Sequence, residues 1–300
     1  MNDRRLPAYV LITPARNEEA FIEKTIRSVV AQTIRPKRWI IVSDGSTDRT
    51  DEIAGRFAVE HAWIELVRRP PHAERHFASK VRSFELGYEK LSGLDYDIIG
   101  NLDADLSFDE TYMEFLMGKF ADDPDLGVAG TPFVDGSDGA YDYRFTNIEH
   151  VSGACQLFRK ACFESIGRYQ PIKSGGIDWV AVTMARMKGW KTRTFTEKCL
   201  QHYRKMGTGT GGRLRAQVSM GRQEYYLGNH PLWELFHSVY QMRYRPYIIG
   251  GLAVLGGYLA AALRGEERPI PRELVDFIRR EQMLRLRRKA GLARRPRPRP

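Results

Sequence analysis

Cysteine is scarce: Cys155, Cys162 and Cys199 are the only three in 300 residues, and none forms a Cys-x-x-Cys pair. Any disulfide scheme leaves one over, which excludes a stapled secreted scaffold and favours a reducing compartment. Long apolar runs are also missing near the start. Ala8 to Thr13 is six residues and stops at Pro14 before two glutamates, too short for the apolar region of a secretory signal. The chain is therefore expected to stay in the cytosol. Between Pro14 and Glu19 there is neither the GxGxxG loop of a dinucleotide dehydrogenase nor the GxGxR loop of a sugar-phosphate nucleotidyltransferase. There is no internal repeat. His61, His72, His76, His150, His230 and His237 share no recognisable metal-ligand spacing.

What is present suits a globular protein: 42% hydrophobic and 28% charged residues, in a chain longer than one typical domain. The net charge of +10 is unevenly spread. From Arg264 to Pro300 there are thirteen Lys or Arg against five Asp or Glu, so eight of the ten net positive charges lie there. The rest is nearly balanced, which gives nucleic-acid binding no support and points the basic end at an anionic surface.

Short β-branched runs alternate with helical spacings through the first half. Tyr9–Ile12, Trp39–Val42, Trp63–Val67 and Asp97–Leu102 read as strands. Helices are expected from about Asn17 to Gln32, after Thr47 or Asp48, and from Ser79 to Leu91. This βαβ rhythm predicts an α/β fold with an open, mostly parallel sheet covered on both faces. Gly207, Gly209, Gly211 and Gly212 then mark a break.

Beyond the break, Tyr247 to Leu263 is seventeen residues without a charge, four of them glycines. As a helix it would reach roughly 26 Å, against about 30 Å of bilayer hydrocarbon. A monotopic or re-entrant insertion, a buried helical hairpin and a full span all remain open. The aromatics from Trp233 to Tyr247 are expected to be packing residues. Leu274, Val275, Phe277, Met283 and Leu286 make no clean stripe, and the Arg-Pro repeat at 295–300 reads as disordered. Residues 1–210 are thus expected to form one domain, 211–290 a helical appendage, and 291–300 a disordered basic tail.

Three motifs follow strands directly. Asp103-Ala104-Asp105 places two carboxylates where open α/β sheets bind ligands, and such a pair can converge on a divalent cation. The same acidic turns also occur with no ligand. Ser43-Asp44-Gly45-Ser46-Thr47-Asp48 offers Asp44 as an acceptor for a nucleobase N–H, although Ser-Thr-Asp also simply caps helices. Thr13-Pro14-Ala15-Arg16-Asn17-Glu18-Glu19 is the third.

Taken in order, these motifs resemble the nucleotide-sugar domain of family 2 glycosyltransferases. The resemblance continues through Ser152–Arg159, Gly175-Gly176-Ile177-Asp178-Trp179 and His202-Tyr203-Arg204, and covers about residues 8–210. It implies the GT-A fold, a mixed and mainly parallel sheet with the donor at strand ends. It implies that Pro14, Arg16, Glu18, Asp44, Lys80, Asp103 and Arg204 bind the nucleotide sugar. Asp105, Asp103 and His202 would hold a divalent metal, Mn or Mg, and Asp178 would be the catalytic base.

The implied activity is inverting transfer of a single sugar from a nucleoside-diphosphate sugar, UDP-linked by default, to a glycan or lipid-linked hydroxyl. The enzyme would sit at the cytoplasmic face of a membrane; a non-catalytic nucleotide-sugar-binding or scaffold protein there is the alternative. Three departures stand out. Ser43 occupies the place of a usual first aspartate. Ile177 replaces a glutamate, so Asp178 stands without an acidic neighbour before it. Gln201 to Arg204 fits the Q-x-x-R-W of processive synthases, but Lys205 replaces the tryptophan.

Overall fold

The structure is a computed structural model that describes residues 5–70, 77–135, 147–204 and 212–289. The chain divides into two compact units, Met1–Met206 and Gly207–Pro300.

In the first unit the elements run β1 (Tyr9–Ala15), α1 (Ile22–Val30), β2 (Arg38–Asp44), α2 (Thr50–Glu60), β3 (Ile64–Arg69), α3 (Phe77–Glu89), β4 (Ile98–Leu102), β5 (Leu106–Ser107) and α4 (Tyr112–Asp122). There follow β6 (Leu126–Gly130), β7 (Phe133–Asp135), β8 (Cys155–Arg159), α5 (Lys160–Ser165), α6 (Ile177–Met187), β9 (Lys191–Thr194) and β10 (Leu200–His202). Seven strands form a sheet in the order β3-β2-β1-β4-β8-β6-β9. The pairs β3-β2, β2-β1, β1-β4 and β6-β9 are parallel, whereas β8 runs antiparallel to both neighbours. A small second sheet, β5-β10-β7, sets His202 opposite Leu106.

Both faces of the main sheet are covered, which is why its strands are apolar almost continuously. In β1, Tyr9 and Leu11 join a core with Ile22, Ile26 and Val29 of α1. Ile12 faces the other way, toward α3, where Gly87 lies against it. Helix α1 starts later than Asn17. Asn17 has φ +55°, and the loop after β2 holds this stretch: Ser46 Oγ, Thr50 Oγ1 and an Asp48 carboxylate oxygen accept from the backbone N–H groups of Asn17, Glu18 and Glu19.

The second unit contains α7 (Gly212–Tyr226), α8 (Pro231–Gln241), α9 (Ile249–Leu263) and α10 (Arg272–Lys289). The glycines here are packing residues. A Cβ on Gly221 would lie 1.8 Å from the Val254 carbonyl oxygen, and one on Gly257 would lie 2.1 Å from that of Val218. Helices α7 and α9 therefore meet backbone to backbone. Helix α10 does have a buried stripe, Leu274, Ile278 and Gln282 with Val275 beside it; it was obscured in the sequence because one member is polar.

Helix α8 is turned inside out. Glu234 and Ser238 are fully buried, while Leu232, Leu235, Phe236 and Val239 are exposed, Phe236 to 61%. Tyr244 and Tyr247 are also exposed, so the aromatics expected to pack do so only in part. Among the described residues no helix is long and apolar enough to cross a membrane, and α9, at 15 residues, reaches only about 22 Å. The tail at 291–300, Lys205, and the glycines at 207–211 lie outside the described residues.

Candidate active site

Strands β1, β2 and β4 run parallel, so the loops leaving their carboxyl ends lie along one edge of the sheet. These are the three loops that carry the motifs. Pro14 pairs in register with Val42, and Arg16 follows, half-buried, at the end of β1. The loops are laced together: Asn17 Oδ1 accepts from the Thr47 N–H at 2.8 Å, and Glu19 accepts from the Arg49 N–H at 3.0 Å.

Asp44 ends β2 at 5% exposure. The Ser79 and Ser83 hydroxyls each donate to it at 2.8 Å, and the Arg69 guanidinium binds it directly. Two serines of α3 and an arginine of β3 therefore fix this carboxylate in place at the floor of the site. No run of sequence announced that partnership.

After β4, Asp103 is paired with Lys80 of α3. Burial alone would lower the Lys80 ammonium; Asp103, Asp178 and Asp105 together hold it above its ordinary value. Asp105 is 6% exposed, with His202 Nε2 at 3.5 Å and Arg204 Nε at 3.9 Å. Burial first, then the neighbouring Asp103, pushes its carboxyl upward against the pull of His202 and Arg204. Arg204 also donates to Glu18 at 2.7 Å. Burial, with Asp105, Asp103 and Asp48 nearby, pushes the Glu18 carboxyl up to about 7, Arg204 acting in the opposite sense.

Asp178 lies in the first turn of α6, entered through Gly176 at φ +81°. One short chain of contacts joins it to the strand-end carboxylates. The Gly153 N–H donates to Asp178 Oδ2 at 3.1 Å, and Asn101 Nδ2 donates to the Gly153 carbonyl at 2.6 Å and reaches Asp103 Oδ1 at 3.3 Å. Gly153 must be glycine: a Cβ there would stand 2.9 Å from the Asp178 Cβ. Gln156 supports the same turn, donating to the Val151 carbonyl at 2.8 Å while its own carbonyl accepts from the Tyr169 hydroxyl at 2.7 Å.

The structure thus brings Asp178, Asp103 and Lys80 together, and separately Asp105, His202, Arg204 and Glu18 around the neighbouring turn. Sequence reasoning missed Asn101, Arg69, Gln156 and His150. His150 Nδ1 is buried without a hydrogen-bond partner. Burial keeps its imidazole below the ordinary value although Asp178 acts to raise it.

The sequence profile of the family described as glycosyl transferase family 2 matches residues 10–179, from β1 to the turn that bears Asp178. The chain belongs to that family. Among curated family relatives, a probable glycosyltransferase, YdaM of Bacillus subtilis, is 30% identical over 154 residues, which is 50% of this chain and 35% of the relative. The poly-beta-1,6-N-acetyl-D-glucosamine synthase of Staphylococcus aureus is 28% identical over 135 residues, 45% of this chain and 31% of the synthase. The chain spans about a third of the length of these relatives.

Two solved structures share the fold of this family 2 chain. The mannosyltransferase PcManGT of Pyrobaculum calidifontis, in complex with GDP-Man and Mn²⁺, aligns with a TM-score of 0.58 at 18% identity, covering 96% of this chain and 81% of that one. Staphylococcus aureus TarS 1–349 in complex with UDP-GlcNAc aligns at 0.55 and 13% identity, covering 84% and 71%. The fold is GT-A: a mixed, mainly parallel sheet between helices, followed by a helical region.

Proposed function

We propose that the chain transfers one sugar from a nucleoside-diphosphate sugar to an acceptor hydroxyl, with inversion. The contact chain Asp178–Gly153–Asn101–Asp103 carries this reading, because it sets a half-buried carboxylate beside an acidic strand end that binds a diphosphate through a cation. Pro14, Arg16, Glu18 and Asp44 line the nucleoside side. Asp44, fixed by Arg69 and two serines, is the acceptor placed to read the base. UDP is the default carrier; GDP-Man and UDP-GlcNAc are the donors named for the two solved relatives.

The residues suit a divalent cation. Asp105 supplies hard oxygen and His202, 3.5 Å from it, imidazole nitrogen, while Asp103, paired with Lys80 on the neighbouring turn, would add a second oxygen. By donor type this is a set that Mn²⁺ accepts readily and Mg²⁺ through its oxygens. Asp105, buried with an upward-pushed carboxyl, gains from a positive partner. When bound, such an ion neutralises charge on the departing diphosphate. Lys80 and Arg204 add fixed positive charge on either side. Asp178 accepts the acceptor's proton as that oxygen forms its bond to the anomeric carbon and the bond to the diphosphate oxygen breaks on the opposite face. Such base assistance contributes about 10²–10⁴-fold.

The acceptor side is a glycan or a lipid-linked sugar. The exposed apolar stripe of α8 and the basic residues from Arg264 onward support seating on the anionic, cytoplasmic face of a membrane. Flotation of the full chain with anionic vesicles tests this: no binding, or binding unchanged in Leu235→Asp/Phe236→Asp, contradicts it.

A thermal-shift panel of nucleotide sugars, with and without Mn²⁺, tests the donor reading. One donor raises the unfolding temperature only with the metal, and Asp105→Asn removes that rise. A panel with no responding donor overturns the reading.

A further inference from the structure

Helix α8 buries an acidic side chain where a helix ordinarily buries leucine. Glu234 has no exposed surface, and its Oε2 is buried without a hydrogen-bond partner. Ser238 Oγ makes a long contact of 3.4 Å to its Oε1, and the Glu224 and Asn229 side chains also interact with this carboxyl. A carboxylate in that position is costly unless a positive partner meets it. Three residues on, one turn along the same face, stands His237. From α7, Glu224 closes the group, with His237 Nδ1 3.0 Å from its Oε1. Ligand atoms of Glu224, Glu234 and His237 all lie within 4.8 Å of one another, the only such group of three found among the described residues.

We propose that Glu224, Glu234 and His237 form a second divalent-metal site, built for a borderline transition ion of the Zn²⁺ class and separate from the strand-end carboxylates. Two carboxylates and an imidazole make a mixed O/N donor set, whereas Ca²⁺ and Mg²⁺ sites are built of oxygen alone. The spacing has a physical basis. Glu-x-x-His on one helix facing a Glu on another is the unit from which helical bundles assemble carboxylate metal sites. It escapes a search for paired histidines because two of its three ligands are glutamates.

The surroundings are those of a supported site. Gln241 Nε2 lies 2.9 Å from His237 Nε2, so its amide fixes the ring; with Nδ1 on a metal, the amide presents its oxygen instead. Behind Glu234, Asn229 is fixed by Gln282, whose Nε2 donates to Asn229 Oδ1 at 2.7 Å while its Oε1 accepts from the His230 N–H at 2.8 Å. Three protein ligands leave room for a water as the fourth. The ion would tie α7 to α8 and offset the burial of both glutamates, a structural use in which binding energy becomes folding energy. A proton shared between the two carboxyls is the competing occupant.

The test uses the full chain, stripped with a chelator and dialysed. Zn²⁺ is titrated against a chromophoric competitor in the Asp103→Asn/Asp105→Asn background, which removes the strand-end donors. One equivalent is expected there, lost when Glu224→Gln or His237→Ala is added. No bound equivalent, or one unchanged by those substitutions, overturns the proposal. Because a variant may fold poorly, nitrogen NMR of the wild-type imidazoles gives a second reading. Zn²⁺ should shift the His237 Nδ1 signal, and a His237 ring that ignores Zn²⁺ means that a proton alone occupies the cluster. Neither reading depends on sugar transfer, so the two proposals fail separately.

Discussion

The two units bury acidic side chains by different rules. In Met1–Met206 apolar side chains fill both faces of the sheet, and the buried acids Asp44 and Asp105 sit at strand ends, each met by cationic or hydrogen-bonding partners. In Gly207–Pro300 the acid is interior to the helix packing, with Glu234 buried while Leu235 and Phe236 of the same helix face out. On the proposed reading, a strand-end acid meets a ligand that arrives and leaves. An interior acid at a helix–helix contact belongs to the architecture. The contrast explains why pattern-based reading succeeds on one unit and falters on the other.

Glu18 sharpens the first half of the contrast. Its carboxyl is held at about 7 rather than 4.5, so the folded state binds that proton more tightly than the unfolded state does. Stability from this group is full below about pH 4.5 and is lost as pH rises to about 7, a difference of roughly 3 kcal/mol. Glu18→Gln cannot titrate. In metal-free protein its unfolding temperature should gain on wild type steadily from pH 4.5 to 7 and then run parallel. A gap independent of pH would mean that Glu18 is an ordinary exposed acid.

Gly153 comes next. Alanine there displaces the Asp178 turn, and a displacement of about 1 Å can cost up to 10²-fold in rate. Steady-state kinetics should show kcat falling while donor binding holds; a fall in donor affinity alone would break the link between residues 153 and 178.

In the second unit, Gly221→Ala forces a side chain into a neighbouring helix backbone and should cost about 1–3 kcal/mol in thermal unfolding. Gly256→Ala, on α9 with nothing within 4 Å, should instead stabilise by up to about 1 kcal/mol. Equal effects would show that these glycines are interchangeable and not packing points.

The sequence made the sheet legible because parallel strands buried on both faces are apolar throughout, and the three strand-end loops followed from that. It could not disclose that β8 runs antiparallel to β4, setting Gln156 opposite Asn101 and so bringing Gly153 to the acidic turn. Nor could it pair Asp44 with Arg69 and the serines of α3, which come from two other elements. Residues 247–263 read as soft helix because propensity counts glycine as a loss, whereas Gly257 is where a second backbone must fit. On α8 the apolar spacing at 232, 235, 236 and 239 is regular, but it lies on the outside.

The central claim is that Asp178 takes the acceptor's proton beside a cation-held diphosphate. Donor binding and single-turnover transfer, measured side by side in wild type and Asp178→Asn, test it most directly. The account predicts donor affinity within a few-fold of wild type and transfer slowed by about 10²–10⁴-fold; transfer at the wild-type rate in Asp178→Asn would contradict it.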